Sequence, residues 1–176
     1  VSGIILGTTQ DISNVSSIGA AKIRIMPLKF LDSSGSGSTS DAIRAIYYAI
    51  NNGAKVLNNS WGGGGYSSAL LDAITYAYNA KATFVAAAGN ASNNNDASPT
   101  YPANYSVPNL MSIAATTDAD VLASFSNYGA SSVHLASPGV AILSTYAGGS
   151  YAYLSGTSMA TPFVSGVAAL MVRESP

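Results

Sequence analysis

Ser158 stands two residues after Gly156 in the stretch SGTSMATP, directly ahead of the apolar run FVSGVAALMV that ends at Val172. A serine so placed can cap a helix, because Ser and Thr hydroxyls accept unpaired N–H groups of a first turn. Pro162 would be tolerated in such a turn, where its missing N–H has no partner to lose. The same serine can instead be a nucleophile. Gly156 lets the backbone turn sharply, and Met159 and Ala160 bring no competing polar group. The positive end of a long helix also offers N–H groups that stabilise a developing oxyanion. Taken together, these features favour the nucleophile.

Such a serine needs a rigid frame, and the chain alternates strand and helix patterns that would supply one. KIRIMPLKFLD (22–32), KVLNNSW (55–61), TFVAAAGN (83–90) and NLMSIAAT (109–116) read as strands. Between them, Ile43, Ile46, Tyr47 and Ile50 recur at the spacing of one helix face, with Ser or Thr as a cap before them and Gly53 as a stop after them. Leu70, Ile74, Ala77 and Tyr78 repeat the pattern. This order predicts an α/β fold, a parallel sheet with helices on both faces, in a single domain over residues 1–176. After Thr116 the short segments VHLASPG, AILSTY and GSYAYLSG read as edge strands and a hairpin. The Asn-rich GNASNNNDASPTYP has the composition of a solvated loop, yet it follows a parallel strand at its carboxyl end, where open α/β sheets place ligands.

NNSWGGGGYSS also runs from a strand through glycines into a helix, the setting of a phosphate-binding loop. It has neither the Gly-Lys-Ser/Thr of a P-loop nor the third glycine of a dinucleotide fingerprint, so both fail.

Composition narrows the partners. Only 9% of the 176 residues are charged, against about 25% in an average soluble domain, and the net charge is -1. That leaves no field for nucleic acid or an anionic membrane surface. No apolar run reaches the ~20 residues that cross a bilayer, and VSGIILGTTQD does not read as a signal peptide. Cysteine is absent, which removes disulfides and thiolate metal sites.

GTSMATPFVSGVAAL resembles the nucleophile motif of the subtilisin-like serine proteases, and NNSWGG, AAAGN and YPANY resemble that family's cleft strand, oxyanion segment and pocket wall. GSGSTSDAI and SPGVAILST read like its scaffold. The resemblance implies a serine endopeptidase that hydrolyses peptide bonds through an acyl-enzyme on Ser158. It makes Asn90 the side-chain donor of the oxyanion hole, a loop amide expected to carry little of the stability. Ser60, Trp61 and Gly62 would hold a peptide or protein substrate as an added strand. Ala87, Ala88, Gly89 and Thr100 would shape a primary pocket for a large apolar side chain, with Tyr101-Pro102 a candidate cis bond at its wall. The site of action implied is extracellular. No cofactor is required; calcium is admitted at TTQDISNVSS (Thr8 to Ser17), although a single carboxylate, Asp11, is thin for a cation that wants six to eight oxygens.

The departures matter as much. Family members order their triad Asp, His, Ser along the chain. Here VSGIILG resembles the helix just after the histidine motif, so both earlier motifs would precede Val1, and MVRESP would be followed by further helices. The expectation is a catalytic domain truncated at both ends, with His and Asp absent. The only histidine, His134, falls on a short strand away from the nucleophile, and Asp32, Asp41, Asp72, Asp118 and Asp120 fit turn, cap and surface roles. Three readings follow: an endopeptidase segment completed from outside, a non-catalytic peptide-binding remnant of the same fold, or a hydrolase rewired around His134. A complementary fragment or a second copy is expected to cover the sheet edge left open where the strand beside Thr83 to Ala88 lacks a neighbour.

Overall fold

The computed structural model of the protein describes residues 1–15 and 23–174. A first helix, α1 (Ser2–Val15), precedes the irregular stretch 23–38, which turns at Asp32 to Ser36, and then α2 (Thr39–Asn51). Strand β1 (Val56–Asn59), helix α3 (Ser68–Asn79) and strand β2 (Thr83–Ala87) come next, then β3 (Leu110–Thr116) and β4 (Leu135–Pro138). These four strands lie in the order β1-β2-β3-β4 and all pairs are parallel, with Leu57 opposite Phe84, Ala87 opposite Ile113 and Thr116 opposite Pro138. An antiparallel hairpin of β5 (Ile142–Tyr146) and β6 (Ser150–Leu154) leads into the long α4 (Thr157–Glu174).

The sheet is covered on both faces, which is why β2 is a continuous apolar run. Phe84 and Ala86 pack with Ile46 of α2 and with Ala73, Ile74 and Ala77 of α3. Val85, Ile113 and Ala115 turn the other way onto Ala160, with Val164 against them, both from α4. This is the α/β arrangement the sequence predicts. The helix starts agree too: Ser38 and Ser67 are N-caps, accepting from the N–H groups of Asp41 and Leu70. Gly53 ends the first of these helices at φ +83°.

Three expectations change in detail. The buried stripe of α2 is Ala42, Ile46 and Ala49, flanked by half-buried Ile43, Tyr47 and Ile50. In α3, Ala73 takes the place expected for Tyr78, which is exposed. The segment 22–32 is not a strand over its described part; Ile23 and Ile25 are half-buried between exposed Arg24 and Met26, a strand-like alternation, but among the described residues no partner lies alongside to form a ladder. A cavity of about 980 Å³ separates this segment from β1, lined by Ile23 to Leu28 and Phe30 on one side, Val56 to Asn59 on the other, and Ala169 of α4. Among the described residues the sheet has two unpaired edges, β1 and β4, and the cavity lies along that of β1. β1 is the strand beside Thr83 to Ala88 expected to lack a neighbour, whereas β2 itself is paired on both sides.

Candidate active site

The carboxyl ends of β1 and β2, the turn at Gly156 and the first turn of α4 meet at Ser158. Gly156 has φ +155°, and its N–H donates to the Gly139 carbonyl just beyond β4 (2.8 Å), which fixes the point from which α4 starts. Only the first N–H groups of a helix lack an internal acceptor, and that of Ser158 has no partner among the described residues. The Ser158 hydroxyl donates to the Ser60 carbonyl at 3.2 Å, and the Ser60 hydroxyl donates back to the Ser158 carbonyl at 3.1 Å.

That second bond exists because of Pro162. The proline lies in the second turn of α4 and not in the first, as expected from the sequence. Having no N–H, it leaves the carbonyl four residues earlier, that of Ser158, free for Ser60. Asn58 Nδ2 donates to the Ser60 hydroxyl at 2.9 Å, and the Ser165 hydroxyl of α4 donates to Asn58 Oδ1 at 2.8 Å, so helix and strand are tied twice.

Asn90 faces the same turn. Its Oδ1 accepts from the Thr157 N–H at 2.8 Å and from the Thr157 hydroxyl at 2.9 Å, while that hydroxyl accepts from the Gly89 N–H at 3.3 Å. Asn90 thus caps α4 and is not the unattached loop amide expected from the sequence. With its oxygen held, Nδ2 has no hydrogen-bond partner among the described residues and lies 3.4 Å from where a Cβ on Gly156 would be. The unpaired Ser158 N–H and Asn90 Nδ2 thus flank the turn that carries the Ser158 hydroxyl.

The other expected site residues border this corner. Ala87 and Ala88 are buried, and Gly89 has φ +114°. Thr100 is half-buried, its N–H donating to Asn104 Oδ1 (2.9 Å) and its hydroxyl to Asn95 Oδ1 (3.2 Å). The Tyr101-Pro102 bond is cis, and the Tyr101 carbonyl accepts from the Gly63 N–H. Trp61 donates from Nε1 to Asn59 Oδ1 and packs edge-on against Phe30, while Gly62 is exposed with no backbone hydrogen bond among the described residues.

Among the described residues, none brings a base to Ser158. His134 precedes β4, and its Nδ1 accepts from the Ser112 N–H at 2.9 Å. The four residues of β4 separate it from Gly139, the neighbour of the Ser158 turn, a rise of about 16 Å over five steps of ~3.3 Å, whereas a base must come within ~3 Å. The Asp32, Asp41 and Asp96 carboxylates are engaged in loops and caps. Hydrogen bonds from the Ser34 hydroxyl and from the Ser36 and Ser34 N–H groups hold Asp32 below the usual carboxylate range. Asp41 is lowered by Ser38 and then by Arg44.

In the calcium segment, Thr8 to Val15 belong to α1, and the Thr8 and Thr9 hydroxyls donate back to the Ile4 and Leu6 carbonyls. The Asp11 side chain and residues 16–17 lie outside the described residues. Sequence reasoning missed Thr157, Asn95 and Asn127. Thr157 could be suspected from its place beside Ser158, whereas nothing in SFSNYG marks Asn127.

A family profile described as the subtilase family matches residues 1–176. The chain is 43% identical over 175 residues to the thermophilic serine proteinase of Bacillus sp. (strain AK1), covering 99% of this chain and 42% of that protein. It is 44% identical to thermitase of Thermoactinomyces vulgaris, covering 98% of this chain and 59% of thermitase. The chain thus spans about half the length of the curated relatives it matches. Among solved structures, a cold adapted subtilisin-like serine proteinase superposes with a TM-score of 0.76 at 42% identity, covering 84% of this chain and 52% of that one.

Proposed function

The chain belongs to the subtilase family, and from that premise we propose that it is the serine-bearing part of an extracellular endopeptidase whose histidine and aspartate come from polypeptide outside these residues. In this reading Ser158 Oγ attacks the scissile carbonyl, and its proton passes to the external base. The Oγ–C bond forms, the C–N bond breaks as that proton goes to the leaving amine, and water then releases the acyl group. The Ser158 N–H and Asn90 Nδ2 stabilise the oxyanion. Gly62, with its free backbone groups, takes the substrate as an added strand together with Ser60 and Trp61, and Ala87, Ala88, Gly89 and Thr100 receive a large apolar side chain. Calcium is not needed for any of these steps.

The observation that carries the reading is the division of the Asn90 amide, with Oδ1 locked on Thr157 and Nδ2 left free beside the helix start. A peptide-binding role without catalysis is the second reading, and the hydrogen bond from the Ser158 hydroxyl to the Ser60 carbonyl favours it. Peptide hydrolysis by the isolated chain and by His134→Ala separates these from a rewired enzyme. The expected result is turnover far below that of an ordinary protease and unaltered by His134→Ala. Ordinary turnover that this substitution abolishes would overturn the proposal.

A further inference from the structure

Asn127 lies behind the site and is 1% exposed. Its side-chain oxygen accepts from the N–H groups of Ala91 (2.8 Å) and Asn93 (3.1 Å). Its Nδ2 donates to the Ala88 carbonyl (3.0 Å) and to Asn95 Oδ1 (3.0 Å), with the Thr100 hydroxyl at 3.3 Å. Its backbone N–H donates to the Gly89 carbonyl at 2.9 Å, and a Cβ on Gly89 would stand 2.4 Å from Nδ2. One residue therefore grips the chain on both sides of Asn90, its side-chain amide at Ala88 before it and at Ala91 and Asn93 after it, and its backbone N–H at Gly89.

We propose that Asn127 is a positioning residue for the oxyanion donor, holding residues 88 to 93 so that Asn90 Nδ2 is set in place before any substrate arrives. The proposal rests on the reading of Asn90 given above. A donor aimed at a developing charge helps only if it is already placed, and Asn90 is itself exposed, tied down only through Thr157. No other residue of this size fits the hub. A carboxylate would set oxygen against the Ala88 carbonyl and Asn95 Oδ1, and a leucine would take away the acceptor that the Ala91 and Asn93 N–H groups share.

The test reads the rate at which a fluorophosphonate attaches to Ser158, per folded molecule, in the chain itself. Without a base, the reactivity that remains in such a site comes from the oxyanion hole and binding, so the readout isolates the feature in question. Asn127→Asp, and Asn127→Ser as a variant that buries no charge, should each slow attachment about tenfold, yet change it by less than about twofold when Asn90 is already alanine. In the unsubstituted chain, the N–H groups of Ala91 and Asn93 should exchange with solvent as slowly as those of β2. Exchange at the rate of an open loop, unchanged attachment in either folded variant, or full multiplication of the two effects in the double variant would overturn the positioning role while leaving Asn90 as donor. If Asn90→Ala alone leaves attachment unchanged, the reading of Asn90 fails and this one fails with it.

Discussion

Asn90 gives the two ends of one amide to two tasks, and substitution can separate them. Asn90→Ala removes the cap on α4 and should cost about 1 kcal/mol, or roughly 2–4 °C in melting temperature. Asn90→Asp keeps an oxygen for Thr157 and loses only the donor, so melting should stay close to that of the parent. Attachment of a fluorophosphonate to Ser158 should nonetheless fall by about 10²–10³, the magnitude measured for such a donor in subtilisin. Equal attachment in parent and Asn90→Asp would remove Asn90 from the oxyanion hole. Ser158, Asn90 and the cis Tyr101-Pro102 bond were legible in the sequence because short motifs carry them. Asn127 was not, since its partners at 88 to 95 are brought to it only by the pairing of β2 with β3 and the turn after β3.

The start of α4 shows how a proline inside a helix can serve its neighbours. Because Pro162 frees the Ser158 carbonyl, Ser60→Ala should destabilise the chain by about 1 kcal/mol, and by less in a Pro162→Ala background, where a restored N–H competes for that carbonyl. Equal losses in both backgrounds, measured by denaturant unfolding, would contradict the arrangement. The sequence showed the proline but not its turn, because helix starts are set by caps that lie elsewhere in the chain, here Asn90. At α2 the cap was legible as Ser38, which donates to the Asp41 carboxylate at 2.6 Å and lowers its pKa, with Arg44 adding to the effect. A lowered folded-state value stabilises above the unfolded carboxylate's ~3.9 and is lost as pH falls through the folded value. Ser38→Ala should therefore melt below the parent at neutrality, and the gap should narrow toward about pH 2. A gap independent of pH would show that the cap acts without the carboxylate. The extended 23–32 segment misled because alternation marks a chain that can pair, and pairing needs a neighbour that the cavity beside β1 does not provide.

At the scale of the molecule, that cavity and the open edge of β1 point to a missing neighbour. The slot has apolar walls from α2 and α4 and lies beside a strand with one unpaired side, which suits an added strand. Light scattering should find the isolated chain as a dimer or larger species, or as a monomer only when a complementary polypeptide is present. A compact monomer that melts cooperatively at low concentration would contradict this. The parallel sheet, its covering helices and the hairpin were legible from apolar periodicity, since burial on one or both faces writes itself into the sequence. The unpaired side of the strand next to Thr83 to Ala88 was legible only through the family resemblance, because strand order depends on contacts between distant segments. The claim on which the whole account rests is that these elements make Ser158 alone among the serines reactive, even without a base. Incubating the intact chain with a fluorophosphonate, weighing it and mapping the adduct tests this most directly. The account predicts one added group, located on Ser158 and lost in Ser158→Ala; an unlabelled chain, or adducts spread over other serines with no preference for Ser158, would contradict it.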